Sequence, residues 1–322
     1  MKKINLVLGT MTFGESVFHP EVEAFVKAFL DAGYEELDTA YVYNEGRCEI
    51  LLGEALQGIQ GYKISTKVNP RISGRLDGKA AYTQLNESLA RLGMDCVDIF
   101  YLHFPDAETP VDSVLEACAE LHRQGKFREL GLSNFPAWLT ADVWHRCDRN
   151  GWIKPTVYEG IYNPLTRKAE TELNAALNYF GLRFYAYNPL AGGLLTGRYG
   201  GVDAAPTDGR FTHRPNYQNR YWKQSYFDAI ETIKASCERC QITMIEAVYR
   251  WMAYHSMLNA SRGDAIIIGA SKLNHLKQNL RAIDAGPLPE DVVMAFEAAW
   301  KLCKADSPEY FRFYEGTAKQ ER

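Results

Sequence analysis

Four polar residues are candidates for proton-transfer chemistry because they lie at, or just beyond, the ends of three successive predicted strands. They are Asp38, Tyr43, Lys67 and His103. Each strand is a short run of apolar or β-branched residues, and a helical pattern follows it. The carboxyl ends of such strands meet at one mouth of a parallel α/β sheet or barrel, where these folds hold their chemistry. We therefore expect a carboxylate, a phenol, an ammonium and an imidazole to form one site.

Tyr43 is the candidate proton donor, although a free tyrosine hydroxyl has a pKa of about 10. An ammonium about 4 Å away, at an effective dielectric near 20, favours the phenolate by roughly 4 kcal/mol. This predicts that Lys67 lowers the pKa of Tyr43 by up to about 3 units. Asp38 would keep Lys67 charged, and His103 would orient a substrate oxygen. Such a set suits a carbonyl that gains a proton at oxygen and a hydride at carbon, and the hydride must come from a cofactor.

Each of the four residues also has a structural interpretation when it is taken alone. Asp38 could cap a turn, Tyr43 could be one of several loop aromatics, and Lys67 could form an ion pair. His103 could be a hydrogen-bonded core imidazole. Their occurrence at consecutive strand ends, in this order, favours the catalytic interpretation.

The chain alternates predicted strands and helices. Strands are expected at 6–8, around Leu37, and at 64–68, 97–102, 127–132, 156–158, 183–187 and 265–268. Helices are expected at 22–30, 48–56, 80–92, 111–124, 137–148, 168–179, within 225–256, and at 273–283 and 289–302. This order predicts a single-domain (β/α)8 TIM barrel over residues 1–322, with a long loop at 188–219 and a C-terminal helix and tail. The alternative is an open doubly wound sheet, but its Gly-x-Gly fingerprint is absent.

Composition excludes several classes of function. With 322 residues, 46% of them hydrophobic, and a net charge of −4, the chain can bury a large core and has no basic surface typical of nucleic-acid binding. We expect no membrane span and no signal peptide. The seven cysteines are scattered and odd in number, which is typical of reduced thiols in a cytoplasmic protein. The Cys237-to-Cys240 pair lacks the further ligands that a zinc site needs, so no metal is predicted.

Several motifs resemble the aldo-keto reductase superfamily over nearly the whole chain. They are Leu37-Asp38-Thr39-Ala40 with Tyr43, Glu49 and Gly53, then Ser65-Thr66-Lys67, Tyr101-Leu102-His103, Gly131-Leu132-Ser133-Asn134-Phe135 and Tyr187-Asn188-Pro189-Leu190. The resemblance is greatest to the aflatoxin-aldehyde and succinic-semialdehyde reductase subfamily. It rests on the segments 188–197 and 219–222 and on Tyr310-Phe311-Arg312.

The resemblance implies NADPH lying across the barrel mouth, with Tyr43 as general acid, Asp38 and Lys67 as its tuning pair, and His103 orienting the carbonyl. Asp38 would also touch the cofactor. Ser133 and Asn134 match residues that bond the nicotinamide carboxamide, and Tyr187 matches the ring that stacks on the nicotinamide. From the residues alone, Ser133 and Asn134 favour a turn before a helix, and Tyr187 could equally be a core residue.

The remaining cofactor contacts are also implied by the resemblance. A backbone wrap around the pyrophosphate would use Asn188, Pro189, Leu190, Ala191, Gly193 and Leu194, and glycines permit the close approach. Arg220 and Lys272 would hold the 2′-phosphate, since cations suit it. Gly269, Ser271, Gln278 and Asn279 match the adenosine end. Lys272 and Gln278 could instead belong to a solvated helix face.

Arg312 matches a C-terminal arginine that holds a substrate carboxylate, and Tyr217 matches another substrate contact. Ten more residues follow Arg312, which departs from the family's pattern. Glu159 stands where the family has a glutamine that bonds the nicotinamide amide. An ionised carboxylate accepts but cannot donate, so we expect Glu159 to weaken discrimination in favour of NADPH over NADP⁺.

The sequence therefore predicts an NADPH-dependent reductase of small aldehydes, among them carboxylate-bearing or dicarbonyl ones. An alternative of another class is a redox-sensing regulatory subunit of potassium channels, which has the same fold. A third is a barrel that binds nucleotide without turnover. The resemblance also implies a homodimer as one possible assembly, and no nucleic-acid or membrane partner is expected.

Overall fold

Eight parallel strands close into a barrel in the computed structural model, which describes residues 3–204, 206 and 209–316. In chain order they are β1 (Asn5–Gly9), β2 (Glu36–Asp38), β3 (Lys63–Val68), β4 (Val97–Leu102), β5 (Phe127–Ser133), β6 (Pro155–Ile161), β7 (Arg183–Tyr187) and β8 (Ala265–Ile268). β8 pairs with β1, so the sheet has no open edge. The (β/α)8 barrel is confirmed, and the open doubly wound sheet is excluded.

Helices surround the barrel and connect its strands. Those of the described ranges are α1 (Glu21–Asp31), α2 (Arg47–Ala55), α3 (Pro70–Ser73), α4 (Gly78–Leu92), α5 (Val111–Arg123), α6 (Ala137–Asn150), α7 (Leu173–Phe180), α8 (Arg210–His213), α9 (Pro215–Tyr221), α10 (Gln224–Arg239), α11 (Met244–Tyr254), α12 (Leu273–Ala282) and α13 (Glu290–Cys303). No helix in these ranges is both long and apolar enough to cross a membrane.

Apolar residues fill two layers, one between strands and helices and one inside the barrel. The outer layer carries the amphipathic faces of the helices, such as Phe25 and Phe29 of α1. Inward-pointing side chains of β1, β4, β6, β7 and β8 form the inner cluster, since the interior of such a barrel is a packed core. Its buried members are Val7, Ile99, Tyr101, Val157, Tyr185, Ala265 and Ile267.

The segment predicted as a loop at 188–219 contains more structure than expected. A 3₁₀ helix covers Ala191–Thr196, and α8 and α9 follow. Aromatic packing explains the difference, because Phe211 and Tyr221 are fully buried and Phe211 packs against Trp222 with ring centres 5.0 Å apart. Residues 205, 207 and 208 of this predicted loop lie outside the described part of the chain.

Strand register brings the predicted site together. Asp38, the last residue of β2, pairs with Ser65 of β3. Lys67 lies two residues beyond Ser65 and so points to the same side of the strand. Lys67 in turn pairs with Tyr101 of β4. Successive parallel pairs thus gather the polar strand ends at one mouth, as predicted.

Candidate active site

The ammonium group of Lys67 is fully buried, and oxygen atoms surround it. Nζ lies 2.6 Å from Oδ1 of Asp38 and 3.0 Å from the backbone oxygen of Thr39. The hydroxyl of Ser65 donates to the same Asp38 oxygen at 2.7 Å. Burial lowers the pKa of Lys67, but Asp38 and Glu159 outweigh it, and the pKa lies above its ordinary value. Lys67 is therefore an ammonium near neutral pH.

Tyr43 lies in the loop after β2, with its ring between Lys67 and His103. Nζ of Lys67 is 5.2 Å from the ring centre. The imidazole centre is 6.0 Å away, with the two ring planes at 84°. The loop turns sharply because Asn44 adopts a left-handed φ of 49°, which asparagine tolerates better than most residues. The Asn44 amide donates to the backbone oxygen of Met11 at 3.0 Å and holds this turn.

The prediction that Lys67 brings the pKa of Tyr43 down toward neutrality is wrong. Burial is the largest influence on this phenol and raises its pKa. Lys67 lowers the pKa, but Asp38 and Glu159 raise it again, and the result lies above the ordinary value. The prediction included the charge of Lys67 but left out the desolvation of the Tyr43 phenol. It also left out the negative charges of Asp38 and Glu159, which oppose the effect of Lys67. Tyr43 is consequently a neutral phenol near neutral pH, which is the form that can donate a proton.

His103 is buried, and its tautomer is set by Asn69. Nδ2 of Asn69 lies 3.0 Å from Nδ1 of His103, while Oδ1 of Asn69 accepts from the backbone N–H of Arg71 at 2.9 Å. Because the oxygen end of this amide already faces a donor, its amino end donates to the imidazole. Nδ1 of His103 is therefore an acceptor, and Nε2 carries the proton.

The imidazole is neutral near physiological pH. Burial is the main cause that lowers the pKa of His103 well below its ordinary value, and the charges of Lys67 and Arg71 lower it further. The backbone of Asn69 is held in turn by Gln84, whose amide accepts from its N–H at 2.9 Å and donates to its oxygen at 3.0 Å. A neutral Nε2–H, rigidly supported, can donate one hydrogen bond into the mouth.

Asn134 connects the ends of β4, β5 and β7. Its Nδ2 donates to the backbone oxygen of His103 and to Oγ of Ser133, both at 2.9 Å. Its Oδ1 accepts from the hydroxyl of Tyr187 at 2.8 Å. Both amide hydrogens are thus used, which leaves Asn134 only an acceptor lone pair. Ser133, which accepts from Asn134, keeps its own O–H as a donor.

Glu159 lies on β6 beside the buried charges. Its Oε2 is 3.3 Å from Nζ of Lys67 but makes no hydrogen bond among the described residues. Burial is the main cause that raises the pKa of Glu159. Asp38 adds to the increase and Lys67 opposes it, and the pKa reaches about 8. A carboxyl whose pKa is raised in this way can carry a proton at neutral pH and donate it, so the weaker discrimination expected of an ionised Glu159 stays a prediction.

The segment after β7 folds into a tight turn, in which the backbone N–H groups of Ala191 and Gly193 donate to the oxygens of Asn188 and Leu190. Asn188, Ala191 and Gly193 have positive φ angles of 67°, 48° and 101°. Oδ1 of Asn188 accepts from the backbone N–H of Gly192, and Nδ2 donates to the hydroxyl of Tyr221, both at 2.9 Å. A Cβ added at Gly193 would have no neighbour within 4 Å. Backbone in this conformation suits the approach of an anion.

The residues predicted for the adenosine end lie on the loop after β8 and on α12. Gly269, Ser271, Lys272 and Gln278 are exposed, whereas Asn279 is buried and its amide donates to the oxygen of Gly269 at 3.4 Å. Arg220 lies on α9 and is half-buried. Its guanidinium carbon is 5.4 Å from the ring centre of Tyr217 and 5.8 Å from that of Tyr221.

Arg312 reaches the mouth through its backbone. Its N–H donates to the backbone oxygen of Asn134 at 3.0 Å. Two residues on, the N–H of Tyr314 donates to the oxygen of Pro105 at 2.8 Å. The residues beyond Arg312 thus anchor it, although 317–322 lie outside the described part of the chain. Tyr217 is buried on α9, and its hydroxyl accepts from Arg210 at 3.3 Å.

Sequence reasoning missed three residues of this site. Ser65 supports Asp38, Asn69 sets the tautomer of His103, and Arg71 lies near His103. Asn69 carried one signal, since an Asn-Pro pair commonly begins a helix, and its side chain does cap α3. Nothing in the local pattern indicated its second contact. The described residues contain no cluster of His, Cys, Asp or Glu that could hold a metal ion.

The mouth fits a nicotinamide nucleotide. Ser133 keeps a hydroxyl donor, Glu159 has a buried oxygen without a hydrogen bond among the described residues, and the turn after β7 has open space beside Gly193. An eight-stranded barrel with a buried Asp–Lys pair, a tyrosine and a neutral histidine at this mouth defines an oxidoreductase that transfers hydride to or from a carbonyl group.

Comparison with known proteins agrees with the assignment of this site to an oxidoreductase. Residues 5–301 match the family model described as "Aldo/keto reductase family". The chain therefore belongs to the aldo/keto reductase family and is an oxidoreductase. Members of this family generally use nicotinamide cofactors.

Curated relatives are similar over almost the whole chain. Aflatoxin B1 aldehyde reductase member 2 of Rattus norvegicus is 47% identical over 319 residues, covering 95% of this chain and 87% of the relative. Aldo-keto reductase family 7 member A3 of Homo sapiens is 46% identical over 319 residues, with 95% and 96% covered. Aflatoxin B1 aldehyde reductase member 4 of Homo sapiens is 45% identical over 320 residues, with the same coverage.

Proposed function

We propose that the protein reduces aldehydes to alcohols with NADPH, and that Tyr43 supplies the proton. The observation that carries the proposal is the position of the Tyr43 ring, 5.2 Å from the Lys67 ammonium and 6.0 Å from the His103 ring. The names of the relatives, aldehyde reductases, support an aldehyde as substrate.

Each side chain would have one task. When bound, NADPH supplies the hydride that no side chain can supply. His103 donates a hydrogen bond from Nε2 to the carbonyl oxygen and orients it. Tyr43 keeps its proton until negative charge develops on that oxygen, and then transfers it. Lys67, held by Asp38, stabilises the phenolate that remains. General acid catalysis of this kind contributes about 10²- to 10⁴-fold to the rate.

The cofactor would be held mainly by strand-end residues. Ser133 donates to the carboxamide oxygen, Asn134 accepts from its amino group with the remaining lone pair, and protonated Glu159 provides a further donor. Tyr187 offers a ring face. The backbone of Asn188, Pro189, Leu190, Ala191, Gly193 and Leu194 would receive the pyrophosphate, and Gly269, Ser271, Lys272, Gln278 and Asn279 the adenosine end.

Preference for NADPH over NADH would come from Arg220 and Lys272, as cations for the 2′-phosphate. Substitution of either by glutamine should raise KM for NADPH more than KM for NADH. Lys277, which lies exposed on the same helix as Gln278, provides a control as Lys277→Gln. Equal effects on both coenzymes would contradict the assignment.

Substrate recognition would involve Tyr217 and Arg312, with the arginine available to a carboxylate. Small aldehydes with a carboxylate or a second carbonyl are the proposed class. We also propose a reducing compartment such as the cytoplasm, because all seven cysteines are free. A homodimer stays a prediction, which the molecular mass in solution would test.

The decisive test is NADPH oxidation, followed by absorbance, with 4-nitrobenzaldehyde, succinic semialdehyde and methylglyoxal. We expect turnover by the wild type and a loss of about 10²-fold or more in Tyr43→Phe. Tyr41→Phe is the matched control, since it removes a hydroxyl from the same loop. Equal rates in wild type and Tyr43→Phe would disprove the role of Tyr43. No turnover at all would favour a nucleotide-binding regulatory protein.

A further inference from the structure

Arg71 lies one aromatic ring away from the catalytic imidazole. Its guanidinium carbon is 4.8 Å from the ring centre of Phe104. The Phe104 ring stacks on His103, with ring centres 4.9 Å apart and planes at 17°. The backbone N–H of Arg71 also donates to Asn69, the residue that holds the His103 ring. Arg71 is solvent-exposed, so an incoming molecule can reach its charge.

Arg312 reaches the same part of the mouth from the other end of the chain. Its backbone is bonded to Asn134, whose side chain is bonded to the backbone of His103. Tyr314 pairs with the segment that directly follows Phe104, through the oxygen of Pro105 and a bridge to Asp106. The loop that carries His103 and Phe104 therefore positions both arginines.

The two charges have no acidic partner in the part of the chain that the structure describes. Neither Arg71 nor Arg312 forms an ion pair there, whereas Arg75, which follows α3, lies 3.9 Å from Asp77. After burial, the charges of Arg312 and Arg220 are what lower the pKa of Arg71. Arginines that interact through their charges and have no acidic partner among the described residues favour the binding of an anion.

We propose that Arg71 and Arg312 together bind a phosphate monoester at the far end of a short aldehyde substrate. A phosphate monoester carries about −1.5 to −2 charges at pH 7 and three acceptor oxygens, so two guanidinium forks can bind it at once. A carboxylate has one charge and fills one fork. The substrate is short because only the Phe104 ring separates Arg71 from His103.

This inference rests on the proposed function and adds a substrate class to it. The phosphate ester takes no part in the chemistry and stays intact. The aldehyde carbon gains the hydride and its oxygen gains the Tyr43 proton, as for any other substrate. Arg220 remains assigned to the cofactor.

The test compares D-glyceraldehyde 3-phosphate with D-glyceraldehyde, which share a carbonyl group and differ in the phosphate. The wild type should have a kcat/KM at least about tenfold higher for the phosphorylated aldehyde, as expected of charge-assisted hydrogen bonds. Arg71→Gln should reduce this ratio by about tenfold, mainly through KM. Arg75→Gln, an equal change of charge just beyond the helix that carries Arg71, should leave the ratio as it is.

Binding of glycerol 3-phosphate to the NADP⁺-saturated protein, measured by calorimetry, gives a readout independent of turnover. It should weaken in Arg71→Gln and in Arg312→Gln, but not in Arg75→Gln. A wild type that reduces 4-nitrobenzaldehyde without preferring the phosphorylated aldehyde would overturn this inference and leave the proposed function intact. So would an unchanged ratio in Arg71→Gln. Failure to reduce any aldehyde would instead overturn the proposed function.

Discussion

The amide nitrogen of Asn69 lies 3.0 Å from Nδ1 of His103, and this contact decides which imidazole nitrogen faces the barrel mouth with a proton. The contact depends on the backbone N–H of Arg71, which occupies the amide oxygen. Asn69, a buried residue two positions beyond Lys67, therefore controls the hydrogen-bond donor at His103, directly after β4.

Asn69→Asp should reverse this tautomer. A carboxylate accepts rather than donates, so it would accept a hydrogen bond from Nδ1–H and favour the tautomer in which Nε2 is an acceptor. We expect kcat to fall by about 10- to 100-fold, in the range found when one donor to a developing oxyanion is removed.

The pH profile separates this role from a structural one. The wild type should show no loss of kcat near pH 6.5, because the pKa of His103 lies well below that value. Asn69→Asp should raise the pKa of His103, and kcat should partly recover as pH falls below that pKa, because the imidazolium carries a proton on both nitrogens. Asn86→Asp is the control, because Asn86 lies on the exposed face of α4. A profile unchanged in Asn69→Asp would contradict the assignment.

Glu159 should make coenzyme preference depend on pH. Its pKa of about 8 keeps the carboxyl neutral below that pH and ionised above it. An ionised Glu159 favours the positively charged oxidised ring, so the preference for NADPH over NADP⁺ should fall as pH rises from 7 to 9. In Glu159→Gln the preference should stay constant. Fluorescence titration of both coenzymes at pH 6.5 and 9.5 measures it, and a pH-independent wild type would disprove the idea.

The same carboxyl should also affect stability. The pKa of Glu159 rises from an ordinary 4.5 in the unfolded chain to about 8 in the folded protein. Between these values the folded state binds more protons, so this group lowers the free energy of unfolding as pH increases through that window. The stabilisation by Glu159→Gln should therefore be greater at pH 9 than at pH 5, by thermal unfolding. Glu129→Gln, on the half-buried end of β5, is the control.

Lys67→Met should destabilise the protein strongly. Its ammonium is the only cation within 4 Å of Asp38 among the described residues, and both side chains are at most 4% exposed. Removal of one partner of a buried pair costs about 3–5 kcal/mol. Asp38→Asn added to Lys67→Met should recover part of this loss. Lys63→Met, on the same strand but exposed, should change the free energy of unfolding by less than about 1 kcal/mol in chemical denaturation.

Arg312→Ala should change substrate selection. Loss of the guanidinium should raise KM for succinic semialdehyde relative to KM for 4-nitrobenzaldehyde by about tenfold, since a charge-assisted hydrogen bond is lost. Arg128→Ala is the control, because Arg128 is exposed at the start of β5, whereas Asn134, which holds Arg312, follows the end of that strand. A similar increase for both aldehydes would count against recognition of the carboxylate.

Local patterns were sufficient for the architecture. Apolar periodicity and the capping residues predicted the eight strands and most helices, because both depend on neighbours within a few positions. Strand order then implied that Asp38, Lys67 and His103 meet, since parallel strands present their carboxyl ends together. The 188–219 segment was predicted less well, because α8 and α9 depend on the packing of Phe211 and Tyr221 against distant residues.

The residue types of the site were visible in the sequence, but their ionisation was not. Desolvation and Coulomb energies depend on distances and burial in three dimensions. They keep Tyr43 protonated, raise the pKa of Glu159 to about 8 and leave His103 uncharged. The sequence by itself therefore determined the fold and the chemical groups. Only the tertiary structure decided which of these groups carry a proton. It also placed Arg71 and Arg312, which are 241 positions apart in the chain, at the same mouth.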